Sequence, residues 1–228
     1  MVRTPIKKSR YIFALILTIL VFSLGILIGN VLTQSRINFT SSLIEEQRLE
    51  YDSLQLQYLY LAEFLQEANC PATLKALDEN LNNLEIVRAK LENYLEKDDQ
   101  EKLRSVKRDY TLAQLRYWFL SKQAAEICGQ DDLVALIYFY SSRDCDDCEN
   151  QGAILTSLKR DFKNNLLVFS IDASFDQEPM VGILKEYFGI TKVPSLIIND
   201  ELVDGFIKKE DLKKTICSHY KKEVVACQ

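Results

Sequence analysis

The chain is short of the residues on which most enzyme motifs are built. It has one histidine, seven glycines and four prolines among 228 residues. No Ser-His-Asp set and no glycine-rich phosphate loop can be picked out, so triad hydrolases and nucleotide enzymes have no foothold. A four-ligand zinc site would have to recruit Cys217 and His219 to Cys145 and Cys148. That C-x-H spacing fits no common zinc pattern, and His219 reads as a solvated residue on the last helix. The acidic stretch "DCDDCE" lacks the glycine and the oxygen spacing of a calcium loop. Nothing calls for a metal or a cofactor. Clustered bases are missing too. The formal charge is −5, and it is −9 once Arg3, Lys7, Lys8 and Arg10 are set aside. Such an acidic body is unsuited to nucleic acid, which needs grouped Lys and Arg.

One long run lacks charge altogether, residues 11–32, "YIFALILTILVFSLGILIGNVL". About 20 helical residues cross a hydrocarbon core, so this stretch is long enough to span. The four bases precede it, and Arg36, Glu45 and Glu46 follow. The bias of positive charge places residues 1–10 in the cytoplasm as a basic tail. The remainder then lies outside, in a periplasm-like space or at the cell surface. A cleaved signal peptide would have a shorter apolar region and a small-x-small site, which "GILIGNVL" does not offer. Outside the cytosol, six cysteines become a framework to be paired. Asn38, in "NFT", is a glycosylation acceptor by motif, close to the membrane.

Residues 40–128 contain no glycine and a single proline, Pro71. Apolar residues recur there in alternating three- and four-residue steps, in three blocks. The first is Tyr51, Leu54, Tyr58, Leu61 and Leu65. The second runs from Leu74 through Leu77, Leu81 and Leu84 to Leu91 and Leu95, with Arg88 breaking the seam. The third includes Leu103, Val106, Tyr110, Ala113, Tyr117, Leu120, Ala124 and Ile127. Breaks at "ANCPAT" and "EKDDQEK" predict an antiparallel helical hairpin or coiled-coil domain of three helices. The second and third helices, at about 1.5 Å per residue, return Cys128 to the neighbourhood of Cys70, and a disulfide between them is expected. A second stripe on the third helix (Leu112, Leu115 and Phe119, with Trp118 beside it) predicts docking on the C-terminal domain. The same heptads would equally serve a homodimer.

From residue 131 the period changes. "LVALIYFY" (133–140) and "NLLVFSID" (165–172) read as buried strands. "PSLIIND" and "ELVDGFI" read as a hairpin, with helices at "AILTSLKRDF", "EPMVGILKEYFG" and "KKEDLKKTICSHY". The order βαβ-α-ββα predicts an α/β domain over 131–228, a mixed sheet flanked by helices. "YFYSSRDCDDC", followed at a distance by "GITKVPSLIINDELVDGF", resembles the thioredoxin superfamily over about residues 131–222. There a C-x-x-C pair opens the first helix, and a Val-Pro or Ile-Pro with a cis bond begins the next strand.

That resemblance implies a thiol-disulfide oxidoreductase acting on protein thiols and disulfides, with a membrane redox partner a possible electron source. Cys145 would be the exposed nucleophile, favoured as thiolate at a helix N-terminus. Cys148, turned toward the core, would resolve the mixed disulfide. Pro194 would be cis beside the pair, and Val193 would offer its main chain to an extended substrate. The sequence departs from the family where a buried acid six residues before the first cysteine is replaced by Phe139. The proton acceptor must then be Asp144, Asp146, Asp147 or water. Those acids, with Glu149, outnumber Arg143 and oppose a thiolate, which points to a reductase or relay. The bland reading of the same acids is a solvated helix start. The alternative of another class is a redox-inactive binding or scaffold protein with a local staple at Cys145 and Cys148. Cys217 and Cys227 are too far apart on a continuous helix to bond. They pair only if "SHYKKEVVA" turns back; otherwise they are thiols open to another protein.

Overall fold

The computed structural model describes residues 13, 15–29, 69–95 and 99–228. The basic tail 1–10, the Asn38 motif and the first heptad block Tyr51–Leu65 lie outside the described residues, as do the ends of the apolar run 11–32. Within Met1–Ala62, residues 15–29 are helical with their apolar side chains exposed. Among the described residues no helix is long and apolar enough to cross a membrane.

The second unit, Glu63–Gln228, is compact. Its first helix, α1 (Cys70–Leu95), starts at Asn69, whose side-chain oxygen accepts the Ala72 N–H at 3.2 Å. Pro71 then sits in the first turn, where no intrahelical donor is lost. Helix α2 (Gln100–Cys128) is capped by Asp99, which accepts the Lys102 N–H at 3.1 Å. It ends on Gly129 at φ 64°, where the left-handed turn excludes a Cβ. The disulfide Cys70–Cys128 joins the start of α1 to the end of α2, with Cα atoms 5.1 Å apart, so the two helices run antiparallel.

Four strands form one mixed sheet: β1 (Val134–Tyr140), β2 (Leu166–Asp172), β3 (Ser195–Ile198) and β4 (Glu201–Asp204). The order is β2-β1-β3-β4, with β1 and β2 parallel and the other two pairings antiparallel. Helix α3 (Cys148–Phe162) links β1 to β2, α4 (Pro179–Phe188) links β2 to β3, and α5 (Lys209–Ser218) follows β4. The alternation along β1 separates two cores. Ala135, Ile137 and Phe139 meet Leu115, Tyr117 and Trp118 of α2 and Val181 and Leu184 of α4. Val134, Leu136 and Tyr138 meet Leu155, Leu158 and Phe162 of α3 and Leu212 and Ile216 of α5.

Helix α2 is the middle layer on the first face. Both its stripes are buried around Thr111–Ser121, although Leu112 is only partly covered. Trp118, 2% exposed, fills core between Phe119 and Phe188. Helix α1 is only partly engaged: Leu77, Leu81 and Leu84 pack inward, while Leu74, Ile86 and Leu95 face solvent. Gln114 of α2 also closes part of the free edge of β2. Its amide donates to the Ser170 carbonyl at 3.1 Å, and its oxygen accepts the Ser170 N–H at 2.9 Å. An open strand edge invites foreign pairing, and this side chain occupies one peptide of it. Gln114→Leu should cost about 1–2 kcal/mol. It should also speed hydrogen exchange at the Ser170 amide, and unchanged exchange there would refute the edge-closing role.

Two boundaries differ from the sequence expectation. The strand expected over "ELVDGFI" stops at Asp204: Gly205 still donates its N–H in register to the Pro194 carbonyl at 3.0 Å, but proline has no N–H to return the bond, and Gly205 turns the chain away at φ 92°. Ile207 then donates to Gln151 Oε1 at 2.9 Å instead of to a strand. The last helix ends at Ser218, so His219 is its C-cap and not a solvated helical residue; its side chain is 14% exposed, with Nε2 3.8 Å from Glu201.

Candidate functional site

Three strand ends meet at one end of the sheet. The registers place Tyr140 of β1 opposite Asp172 of β2, and Phe139 of β1 opposite Ser195 of β3. The chain therefore leaves β1 into the Ser141–Asp147 loop beside the point where Val193 and Pro194 lead into β3. This follows from parallel β1–β2 and antiparallel β1–β3 pairing, and it brings the two C-terminal motifs of the sequence to one place.

In that loop, Ser141 Oγ accepts the Arg143 N–H at 3.2 Å and the Asp144 N–H at 3.5 Å, a side-chain turn that starts the bend. Cys145 and Cys148 are joined as a disulfide with Cα atoms 5.4 Å apart. Cys145 is half-buried and Cys148 is 7% exposed. The helix begins at Cys148, not at Cys145. Cys145 lies in the turn just before it, where its carbonyl accepts the Cys148 N–H at 3.4 Å. The physical reason is the cap: Asp147 is the N-cap, and its carbonyl accepts the first full-turn bond from Gln151 at 2.9 Å.

The Val193–Pro194 peptide is cis, the isomer that the resemblance implies. Pro194 is buried and Val193 half-buried, and among the described residues no hydrogen bond engages the Val193 main chain. Ser195 anchors the start of the strand below, donating to the Lys192 carbonyl at 2.8 Å or to Asp204 at 3.0 Å. A groove of about 300 Å³ runs between the two segments, with Ser141, Arg143 and Asp144 on one wall and Lys192 and Val193 on the other.

Asp144, Asp146, Asp147 and Glu149 are all exposed, and Asp147 makes no side-chain capping bond. Their geometry is that of a solvated helix start. Phe139, in the place of the buried acid, is fully enclosed in the core. Beneath Cys148 lies Tyr138, whose hydroxyl donates to the Cys148 carbonyl at 2.6 Å. Desolvation, with Tyr140 nearby, pushes the Tyr138 hydroxyl up to about 12, so it remains a neutral donor. Gln151, fully buried, leaves its Nε2 without a partner among the described residues.

The sequence reading missed a polar cluster. The Asp172 side chain is 4% exposed and accepts from Lys107 Nζ of α2 at 2.6 Å. It also accepts from Ser142 Oγ at 3.1 Å, Ser174 N at 3.0 Å and Ser174 Oγ at 2.6 Å. The only sequence signal was an acid ending the apolar run "LLVFSID"; nothing marked Lys107 as its partner. Burial acts to raise the Asp172 carboxyl, but the bonds from Lys107 and Ser174 and the Lys107 charge outweigh it, and its pKa is lowered. A carboxylate depressed in this way contributes stability that is complete above its unfolded value, about 3.9, and is lost as pH falls through the folded value. The gap in unfolding midpoint between the protein and Asp172→Asn should therefore be open near pH 6 and narrow progressively below about pH 4. A gap that stays constant with pH would contradict the assignment.

The remaining cysteines are paired with one another. Cys217 pairs with Cys227, Cα atoms 5.7 Å apart, instead of joining Cys145 and Cys148. The required reversal is held by Tyr220, which donates to the Asn165 carbonyl at 2.8 Å and stacks on Phe162. Lys221 N–H reaches the Asp131 carbonyl at 3.0 Å. No family model matches the chain, and no curated protein matches it in sequence.

Proposed function

We propose that the chain is a membrane-anchored, extracytoplasmic thiol-disulfide oxidoreductase of the thioredoxin-like kind, exchanging electrons with protein thiols through Cys145 and Cys148. One observation carries the reading: a Cys145–Cys148 disulfide with one partly exposed and one buried cysteine, at the end of the sheet where Asp144 and Val193 line a groove. The element order βαβ-α-ββα agrees with it. The anchor rests on the uncharged run 11–32 behind four bases, and on exposed apolar side chains along residues 15–29.

Starting from the disulfide, a substrate thiolate attacks Cys145 Sγ. The Cys145–Cys148 bond breaks, and Cys148 leaves as a thiolate and takes up a proton. The second substrate thiolate then attacks its own sulfur in the mixed disulfide and expels Cys145. Two electrons have passed to the protein, and the substrate has become a disulfide. The reverse sequence reduces a substrate: Cys145 attacks, Cys148 resolves, and a protein dithiol or membrane redox partner restores the pair. Water or the exposed carboxylates of the loop accept the Cys148 proton. The four acids oppose a thiolate, although exposure screens them, and this favours the reductase or relay direction. Equilibration with glutathione tests both points. A pair that resists reduction at moderate potentials would exclude exchange, and a potential near −120 mV, that of a strong oxidant, would exclude the reductase direction.

A second reading, a scaffold with an inert staple acting through its helical domain, draws on α1, where Leu74, Ile86 and Leu95 face solvent. The same titration separates them, because a permanent staple does not cycle.

A further inference from the structure

Besides the Lys122–Asp200 pair at the β3–β4 turn, three polar links tie helix α2 to the fold, and of these only one touches the dithiol loop. Arg108 pairs with Glu178 at the start of α4 at 2.9 Å, and Gln114 closes the Ser170 peptide. The third is Lys107–Asp172, and Asp172 in turn receives Ser142. Ser142 stands three residues before Cys145, so at most about 11 Å of chain separates them. Resting on the thiol-exchange reading, we infer that Lys107 and Asp172 are positioning residues for the dithiol. They hold the Ser141–Asp147 loop through one buried carboxylate, and their charge balance sets the equilibrium between the disulfide and dithiol forms.

A nearly buried ion pair is a poor source of stability, since apolar residues of the same volume do as well or better. Its position is more informative than its strength. The cation and the carboxylate cancel behind a site where a negative sulfur must form. Other charges at the groove count for less. Arg143, Asp144, Asp176 and Lys192 are exposed and screened, and Lys185 is held by the Ala173 carbonyl at 3.1 Å. Lys107 is further fixed by Phe175, whose ring centroid lies 4.9 Å from its Nζ.

The test is the equilibrium of the full chain with glutathione. Two glutathione thiols reduce Cys145–Cys148 and become glutathione disulfide, two electrons and two protons passing to the protein, and the reduced Cys145 gives one of those protons to solvent to the extent that its thiolate is stabilised. Alkylation and peptide mapping score this pair separately from the other two disulfides. Asp172→Asn leaves a lone cation, which favours the thiolate, and the equilibrium constant for reduction should rise about threefold. Lys107→Met leaves a lone carboxylate, and the constant should fall about threefold; each change corresponds to about 14 mV at 29.6 mV per tenfold. The double variant should return to the parent value, and Arg108→Met should not move it. A structural loosening alone would shift both single variants in the same direction. Lys107 reaches solvent, so if Asp172→Asn does not fold, Lys107→Met carries the test, and a constant that rises or stays level in it overturns the inference. A reducible parent with shifts of one sign, or with none, defeats this inference alone. A parent that glutathione never reduces defeats the exchange reading and this one with it.

Discussion

On the thiol-exchange proposal, replacing Cys148 with serine should turn a turnover catalyst into a trap. Cys145 is the partly exposed cysteine, one position after the groove-lining Asp144, while Cys148 is 7% exposed and bonded to Cys145. With serine at 148, attack by Cys145 on a substrate disulfide still breaks that bond, but nothing resolves the product. Mixed disulfides should accumulate in native membranes and disappear on treatment with a small dithiol, while turnover drops by about a thousandfold or more. Cys145→Ser should lose turnover equally and capture nothing. The two variants remove the same disulfide, so any loss of local order is common to both, and only the capture differs. Equal capture by both would mean that Cys148 or another thiol is the attacking group, and the assignment of roles would be lost.

The largest effect on stability should come from the distal disulfide. Cys70–Cys128 closes a loop with a sequence separation of 58. In the chain-entropy account, constraining the unfolded chain over that span contributes about 4 kcal/mol. The folded side adds a reason to expect the full effect: α1 is attached by a half-buried stripe of Leu77, Leu81 and Leu84, and only Thr73 and Asn80 of the helix are buried. The double variant Cys70→Ser, Cys128→Ser should lower the unfolding midpoint by about 10 °C. Cys217→Ser with Cys227→Ser opens a far shorter loop, with a sequence separation of 10, and should cost less. A smaller loss from the first pair than from the second would show that α1 is held by something other than its disulfide.

Much of this was legible from periodicity. The change from three-and-four spacing to continuous apolar runs marked where helices give way to strands, because a strand covered on both faces has no polar side to show. "LVALIYFY" became β1 within one residue, and Gly189 ended α4 where a left-handed turn was needed. The Cys70–Cys128 pairing followed from arithmetic, two helices of similar length returning the chain to its start. Less legible were the places where one residue answers to a distant one. "ELVDGFI" looks like a strand to its end, and it stops at Asp204 because the residue opposite Gly205 is Pro194, which accepts that glycine's N–H but has none to return. His219 looked solvated because nothing local says that the chain folds back over it.

The sequence by itself determined the alternation of elements, the two-faced burial of β1 and the position of the Cys145–Cys148 pair before a helix, since each depends on the spacing of apolar residues and on local turn chemistry. Only the tertiary structure decided which charges meet. Lys107 and Asp172 lie 65 residues apart, and nothing in either segment names the other. A buried carboxylate must find a cation or donors, but the sequence states only the need; the packing of α2 across the end of β2 supplies the partner.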